Sequence, residues 1–354
     1  MKLLLNQGHR MNSWTYRQAL NEALHAELKA DDETFIFGLD VDDHKSIFGS
    51  TENLLKDFGA NRVFGTPLSE DAMTGFAIGA AINGKKPIHV HIRADFALLS
   101  ANQIINMASN IFYLSGGQLN VPLTIRCVIG RGWGQGAQHS KSLHSLFAHF
   151  PGLKVFMPSS PQDAYSLMRA AVQDPNPVLV FEHRWLYDIV GDVDIKRSAV
   201  LEPKIIAEGE HLTVVGNSWM TIEALKAREV LATLGVKTEV IDVGVVSPLN
   251  LTAITSSVKK TGHCIIADHD WVDFGLASEL SARVHESNFK ELKQPVTRIG
   301  FKNMPCPTAR ELENGFYPKA QDIIAQACLM LGLTIPDLSK FRFYTYEERF
   351  KGPF

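Results

Sequence analysis

Hydrophobic positions along this chain switch repeatedly between two spacings, one suited to helices and one to buried strands. From about Trp14 to Leu28, the residues Tyr16, Leu20, Leu24 and Leu28 fall on one helical face. "TFIFGLDV" then reads as a buried strand, "TENLLKDFG" as a short helix stopped at Gly59, and "RVFGTP" as a strand. A helix over Ser69–Gly84 follows, then strand "PIHVHI", a long helix "FALLSANQIINMASNIFYLS" and strand "VPLTIRCVI". A glycine-rich loop, a helix near Leu143–Phe150, strand "KVFMP", helix "PQDAYSLMRAAVQD" and strand "PVLVFE" complete this half. Such alternation predicts a parallel sheet covered by helices on both faces.

Between Tyr187 and about Glu210 the pattern lapses into polar, irregular sequence that suits a linker. A second series then starts with strand "LTVVGNS", helix "MTIEALKAREVLATLG", strand "KTEVIDVG", helix "NLTAITSSVKKTG" and strand "CIIADHD". Helix "LASELSARVHE", strand "PVTRIGF" and a C-terminal helix around Ala320–Leu331 follow. The expected fold is α/β with two parallel-sheet domains, 1–190 and 211–335, a linker over 191–210 and a tail over 336–354. The tail is aromatic and basic without clear periodicity, open either to packing on a partner or to partial order.

Composition narrows the class. The 354 residues, 45% hydrophobic and 21% charged, describe a globular protein with room for two cores. A net charge of −3 gives no electrostatic reason to expect nucleic acid or an anionic membrane as partner. No apolar run approaches the roughly 20 residues of a membrane helix. "MKLLLNQGHRMNSW" has too short an apolar core for a signal peptide and no convincing cleavage site. Cys127, Cys264, Cys306 and Cys328 lack metal or disulfide spacing, so reduced thiols in a cytoplasmic protein are expected.

Several stretches invite chemistry. "GRGWGQGAQHS" (Gly130–Ser140) has glycines at every second position, but neither a G-K-[ST] ending nor a G-x-G-x-x-G register opening a helix. It is either a permissive loop bringing backbone close to a ligand and presenting His139, or a plain flexible connection. His89 and His91 share one face of a strand, a spacing open to a metal pair, but no third ligand is evident and core or surface histidines are commoner. His139, His144 and His149 recur every five residues, which does not align them on a helix. "DHDWVDF" (Asp268–Phe274) gathers acids at a strand's C-terminal end, where α/β sheets bind ligands, although such clusters are more often solvated. No nucleophile elbow or HExxH motif occurs.

"PLSEDAMTGFAIGAAING" (Pro67–Gly84) is an unusual helix. Ser69 suits the N-cap, and Glu70 and Asp71 suit the positive end of the dipole. Gly75, Gly79, Ala80, Ala81 and Gly84 then give up helix stability, of order 1 kcal/mol per glycine relative to alanine. Something must need the space they leave.

With Glu70, the glycine-rich loop and His139 in place, the chain resembles the beta subunits of thiamine-diphosphate-dependent 2-oxoacid dehydrogenases, such as those for pyruvate and branched-chain 2-oxo acids. The carriers are "RVFGTPLSEDAMTGFAIGAAING", "ADFALLSANQIINMAS", "GAQHSKSLHSLFAHFPGLKVFMPSSPQDA", "DPNPVLVFE" and, more weakly, "PVTRIGF" with "LENGFYP". The resemblance runs from about Trp14 to Leu331 and implies a transketolase-type pyrimidine-binding domain followed by a transketolase C-terminal-type domain. It implies that Glu70 hydrogen-bonds a ring nitrogen of the cofactor's aminopyrimidine, favouring the tautomer that deprotonates the thiazolium carbon. Phe96 matches the aromatic residue beside that ring, and His139 matches the histidine beside the reactive carbon. Leu123, Ala171, Val172, Asp174 and Asn176 match a structural potassium site.

The family's G-D-G…N-N motif for the diphosphate and Mg²⁺ is absent from this chain, and "VGDVD" does not supply it. In the family the alpha subunit carries it, so an α2β2 assembly is implied, with this chain silent alone. Departures are "GVVSPLN" where R-T-L-x-P-L-D is usual and "FGLASE" where G-G-x-G-A-E is usual, both in the domain that commonly docks a lipoyl acyltransferase. Arg93, Arg131 and Trp133 stand where smaller or apolar residues are more usual, leaving room for an anionic or bulky substrate group. The expected activity is oxidative decarboxylation of a 2-oxo acid with acyl transfer to lipoamide. The alternatives are a subunit passing the carbanion to a non-lipoyl acceptor and a non-catalytic scaffold.

Overall fold

The structure, a computed structural model, describes residues 11–130 and 134–343. Arg131, Trp133, the first ten residues and the tail beyond Phe343 lie outside the described residues.

The first half contains β1 (Asn12–Thr15), α1 (Tyr16–Ala30), β2 (Thr34–Gly38), α2 (Ser46–Gly49), α3 (Leu54–Phe58), β3 (Val63–Phe64), α4 (Glu70–Ile82), β4 (Lys86–His91) and α5 (Ala94–Ala97). It continues through α6 (Ile111–Leu114), β5 (Thr124–Ile129), α7 (His144–Ala148), β6 (Lys154–Phe156), α8 (Pro161–Gln173), β7 (Val178–His183) and β8 (Val190–Val193). The second half holds β9 (Lys204–Ala207), β10 (Leu212–Gly216), α9 (Trp219–Ala232), β11 (Thr238–Asp242), β12 (Val245–Ser247) and α10 (Thr252–Thr261). It ends with β13 (Cys264–Trp271), α11 (Leu276–Asn288), β14 (Thr297–Phe301), α12 (Arg310–Asn314) and α13 (Ala320–Leu331).

Among the described residues one sheet runs β12-β6-β7-β5-β4-β2-β3 and a second runs β14-β13-β10-β11-β9. Their interiors are parallel, as expected, and their strands are buried on both faces. One edge of each sheet departs from that expectation: β12 pairs antiparallel with β6, and β9 pairs antiparallel with β11. Because β12 comes from the second half, its pairing stitches the two domains together. The segment read as a linker is also less irregular than expected, since β8 pairs with β1 at its start and β9 lies inside it.

Helix α1 shows how local chemistry sets these elements. The Thr15 hydroxyl accepts from the Gln18 N–H at 3.2 Å while the Gln18 carbonyl oxygen accepts from the Thr15 N–H at 2.8 Å, a reciprocal cap. Tyr16, Leu20, Leu24 and Leu28 are then fully buried along α8, on the face their spacing predicts.

The expected long helix forms as one helical run over 94–114 that changes pitch. It passes through a 3₁₀ turn (Leu98–Ser100) and a π-helical stretch (Asn102–Ala108). The Ser109 N–H reaches back five residues to the Ile104 carbonyl at 3.2 Å. Asn102 and Asn106 bond each other at 2.9 Å, and Asn110 donates to the Ile105 carbonyl at 3.2 Å, so side chains compete here for the ladder. This run packs beside α4, where a Cβ on Gly75 would meet the Gln103 amide at 3.6 Å.

Candidate active site

Glu70 is the first residue of α4. Ser69 occupies the N-cap position, but its hydroxyl makes no capping bond, so the expected cap is positional only. Glu70 is half-buried and lines a shallow cleft with Thr66, Pro67, Met73, His91 and Phe96. The cleft encloses only about 10 Å³. No described side chain hydrogen-bonds or ion-pairs with the Glu70 carboxylate.

The floor of the cleft follows from α4 packing on β4. One turn after Glu70, the Thr74 hydroxyl meets His89 Nδ1 at 3.2 Å, and His91 is the next residue on that strand face. His89 stacks on Phe37 with ring centroids 4.6 Å apart. Burial holds the His91 imidazole down at about 4, and burial plus His91 holds His89 well below its ordinary range, so both are neutral at neutral pH. His91 Nε2 is buried without a partner. The pair is not a metal site by itself, because among the described residues only His144, Asp268 and Asp270 form a three-ligand group.

Phe96, in α5, lines the cleft beside Glu70 and also meets His139 edge-on, with centroids 5.3 Å apart and planes at 89°. The fold thus gathers Glu70, Phe96 and His139 around one aromatic ring.

His139 rides on the glycine-rich loop, and packing explains the glycines. Gly130 has φ +78°, and a Cβ there would lie 2.5 Å from the His183 ring. Gly136 has φ +58°, and its Cβ would lie 2.4 Å from the Thr308 hydroxyl of the second domain. Beneath Gly130 runs a buried chain: the Trp185 N–H donates to His183 Nδ1, His183 Nε2 meets His269 Nδ1 at 3.0 Å, and His269 Nε2 meets the Pro318 carbonyl at 3.0 Å. Contacts within the chain therefore account for glycine at Gly130 and Gly136, while a Cβ at Gly134 would meet nothing within 4 Å.

Arg93 does not play the part its identity suggested. It is buried, and its guanidinium donates to the Gly130 carbonyl and to the Gln135 side-chain oxygen. Burial and Arg184 pull its pKa down to about 10, which leaves it charged at neutral pH. In the same turn, Asp95 accepts from the Lys141 ammonium at 3.0 Å, and Lys141 also donates to the Ala137 carbonyl at 2.8 Å.

Of the three acids in "DHDWVDF", Asp268 and Asp270 are buried and Asp273 is exposed. Asp268 and Asp270 lie on one face of β13 and point at His144 of α7, whose Nε2 is 2.7 Å and 3.7 Å from their oxygens. Burial alone would lower the His144 pKa, but the two carboxylates outweigh it and hold it at about 9. The pair forms part of the contact between the two domains.

Among the potassium positions, local hydrogen bonds tie Ala171, Asp174 and Asn176 together at the end of α8, while Leu123 is tied to Val178. The Asp174 N–H donates to the Ala171 carbonyl at 3.3 Å, the Asn176 N–H to the Asp174 carboxylate at 2.9 Å, and the Val178 N–H to the Leu123 carbonyl at 3.0 Å. Val172 lies within the same turn of α8. Lys154 pairs with Asp174, and Asn176 Oδ1 is buried without a donor.

Residues 12–189 match the transketolase pyrimidine-binding domain family, and residues 202–323 match the transketolase C-terminal domain family. The chain is 37% identical over 316 residues to the mitochondrial pyruvate dehydrogenase E1 component subunit beta-1 of Arabidopsis thaliana, covering 88% of this chain and 87% of that one. It is 35% identical over 326 residues to the mitochondrial E1 subunit beta of Drosophila melanogaster, covering 90% and 89%. The chain belongs to the beta subunits of thiamine-diphosphate-dependent 2-oxoacid dehydrogenases. A solved structure described as a split-gene transketolase, inactive beta4 tetramer, superposes with a TM-score of 0.72 at 21% identity, covering 91% of this chain and 99% of that one, and shows the shared fold.

In this beta subunit the cleft presents an unpartnered carboxylate, the His91 imidazole with its buried, unpartnered Nε2, and an aromatic wall. Sequence reading alone missed His91 as part of that floor, although the Glu70–Thr74 helical step against the His89–His91 strand step was available as a signal. It also missed the contacts of Arg93, Asp95 and Lys141, for which no sequence spacing gives a signal.

Proposed function

We propose that this chain supplies the pyrimidine-binding half of the active centre in a 2-oxoacid dehydrogenase that oxidatively decarboxylates pyruvate or a close analogue and transfers the acyl group to lipoamide. The observation that carries the proposal is the Glu70 carboxylate, half-buried, unpartnered and set against Phe96 in a cleft too small to hold a coenzyme by itself. When bound, thiamine diphosphate supplies the electron sink that accepts the electron pair released by decarboxylation. Glu70 would share a proton with the pyrimidine ring nitrogen, Phe96 and Met73 would keep water from that edge, and His91 Nε2 would offer a further hydrogen bond. His139, held on the edge of Phe96, would hold or deliver a proton at the substrate's oxygen.

The rest of the centre belongs to an alpha-type partner holding the diphosphate and Mg²⁺, in an α2β2 assembly. Exposed apolar side chains on α4 and along the helical run over 94–114 support this: Phe76, Leu99, Met107, Tyr113 and Leu114. A Cβ on Gly79 would meet nothing within 4 Å, so the missing side chain leaves room outside this chain. A potassium ion at Leu123, Ala171, Val172, Asp174 and Asn176 would be held by backbone carbonyls and the buried Asn176 Oδ1, in competition with the Lys154 ammonium that pairs with Asp174. A lipoyl acyltransferase would approach the second domain.

Co-expression with the alpha-type chain tests the proposal. Decarboxylation of a 2-oxo acid is expected from the assembly and not from this chain alone. An intact assembly inert toward pyruvate and the branched-chain 2-oxo acids would make the chain a scaffold.

A further inference from the structure

Three residues of one turn touch the glycine-rich loop at separate points. Arg93, immediately before α5, reaches Gly130 and Gln135, which flank the segment outside the described residues. Asp95 holds Lys141, which in turn holds the Ala137 carbonyl. Phe96 lies edge-on to His139, between Ala137 and Lys141 in sequence. Arg93 is 3% exposed and Asp95 7%, so neither is a casual surface contact. The described hydrogen bonds of Arg93 go to neutral oxygens, and only a planar guanidinium can bridge two such acceptors with a fixed fork.

We propose that Arg93 and Asp95, acting through Lys141, are positioning residues that clamp the loop at both ends and so hold His139 against Phe96. This rests on the role given above to His139. It differs from a substrate-recognition role for Arg93, because the guanidinium is engaged by the loop. Loss of the clamp frees the loop while leaving the Glu70 cleft intact. A displacement of His139 by an ångström is enough to cost about 100-fold in turnover.

The test uses the assembled enzyme carrying Arg93→Met, Arg93→Lys or Lys141→Met. The clamp predicts amide hydrogen exchange in 134–141 faster by about 10-fold, kcat down by about 10- to 100-fold, and thiamine diphosphate affinity within about 3-fold of the parent. Arg93→Lys keeps the charge without the fork, and so is expected to behave like Arg93→Met. Unchanged exchange in 134–141 overturns the clamp, as does full recovery of kcat by Arg93→Lys. A parallel loss of cofactor affinity and melting temperature also overturns it, by showing a general structural role. Should Arg93→Met fail to fold, Lys141→Met, at the loop's partly exposed end, decides the matter by the same exchange readout. If the parent assembly itself does not decarboxylate, the proposed function fails, while hydrogen exchange still decides the clamp.

Discussion

At the residue scale, the groups that matter are set by burial and by partners at long sequence distance. Glu70, Phe96 and His139 were legible because the stretches around them resemble a known family; no spacing among them would have linked an acid, a ring and an imidazole. His144 shows the opposite case. Its five-residue spacing from His139 and His149 says nothing of its partners, and its pairing with Asp268 and Asp270 depends on the docking of two domains and was invisible. Because these carboxylates raise the folded-state pKa to about 9, above the ordinary value, the pair stabilises the protein fully below about pH 6.5 and loses that contribution as pH rises through about 9. His144→Gln is expected to lower stability by about 3 kcal/mol near pH 6, since it leaves two buried carboxylates without their cation. Denaturant unfolding of parent and variant from pH 6 to pH 10 checks this. A gap between them that stays constant over that range contradicts the assigned charge.

At the element scale, long periodic segments were readable and short edge strands were not. Helix α13 spans Ala320–Leu331, where the pattern placed it, and α8 begins at Pro161 with the Ser160 hydroxyl accepting from the Asp163 N–H at 3.1 Å. By contrast β1, β8, β9 and β12 are only three or four residues long, and each is a strand because of what it pairs with. Too few residues repeat in such pieces for a period of two to show. The glycine-rich loop was ambiguous for a related reason: its glycines answer to a histidine ring and a threonine supplied from elsewhere in the fold. Gly136→Ala should therefore be costly, because it adds a Cβ 2.4 Å from the Thr308 hydroxyl at a φ of +58°. The expected cost is about 1–3 kcal/mol, partly recovered by Thr308→Ala if the clash is the cause. Equal stability of Gly136→Ala and the parent in urea melts would show that the loop is not packed on the second domain.

At the scale of the whole molecule, two sheets share a seam formed by β12, the His183–His269 chain and the His144 pair. The cleft around Glu70 lies in the first domain, where α4 and the helical run over 94–114 expose large apolar side chains among the described residues. The two-domain α/β architecture was legible because alternation of strand and helix repeats through nearly the whole chain. A second polypeptide is implied by the missing G-D-G…N-N motif, and the small cleft beside Glu70 supports the same proposal. Small residues in α4 fit the same picture: Gly75 admits the neighbouring helical run, while Gly79 faces open space.

The most direct measurement is the decarboxylation rate of the assembly carrying Glu70→Ala against the parent, with both shown by light scattering to be intact tetramers. Loss of the proton-sharing carboxylate predicts a fall in kcat of about 100- to 10,000-fold with assembly unchanged. Turnover within a factor of two or so of the parent would contradict the role assigned to the one acid this cleft presents.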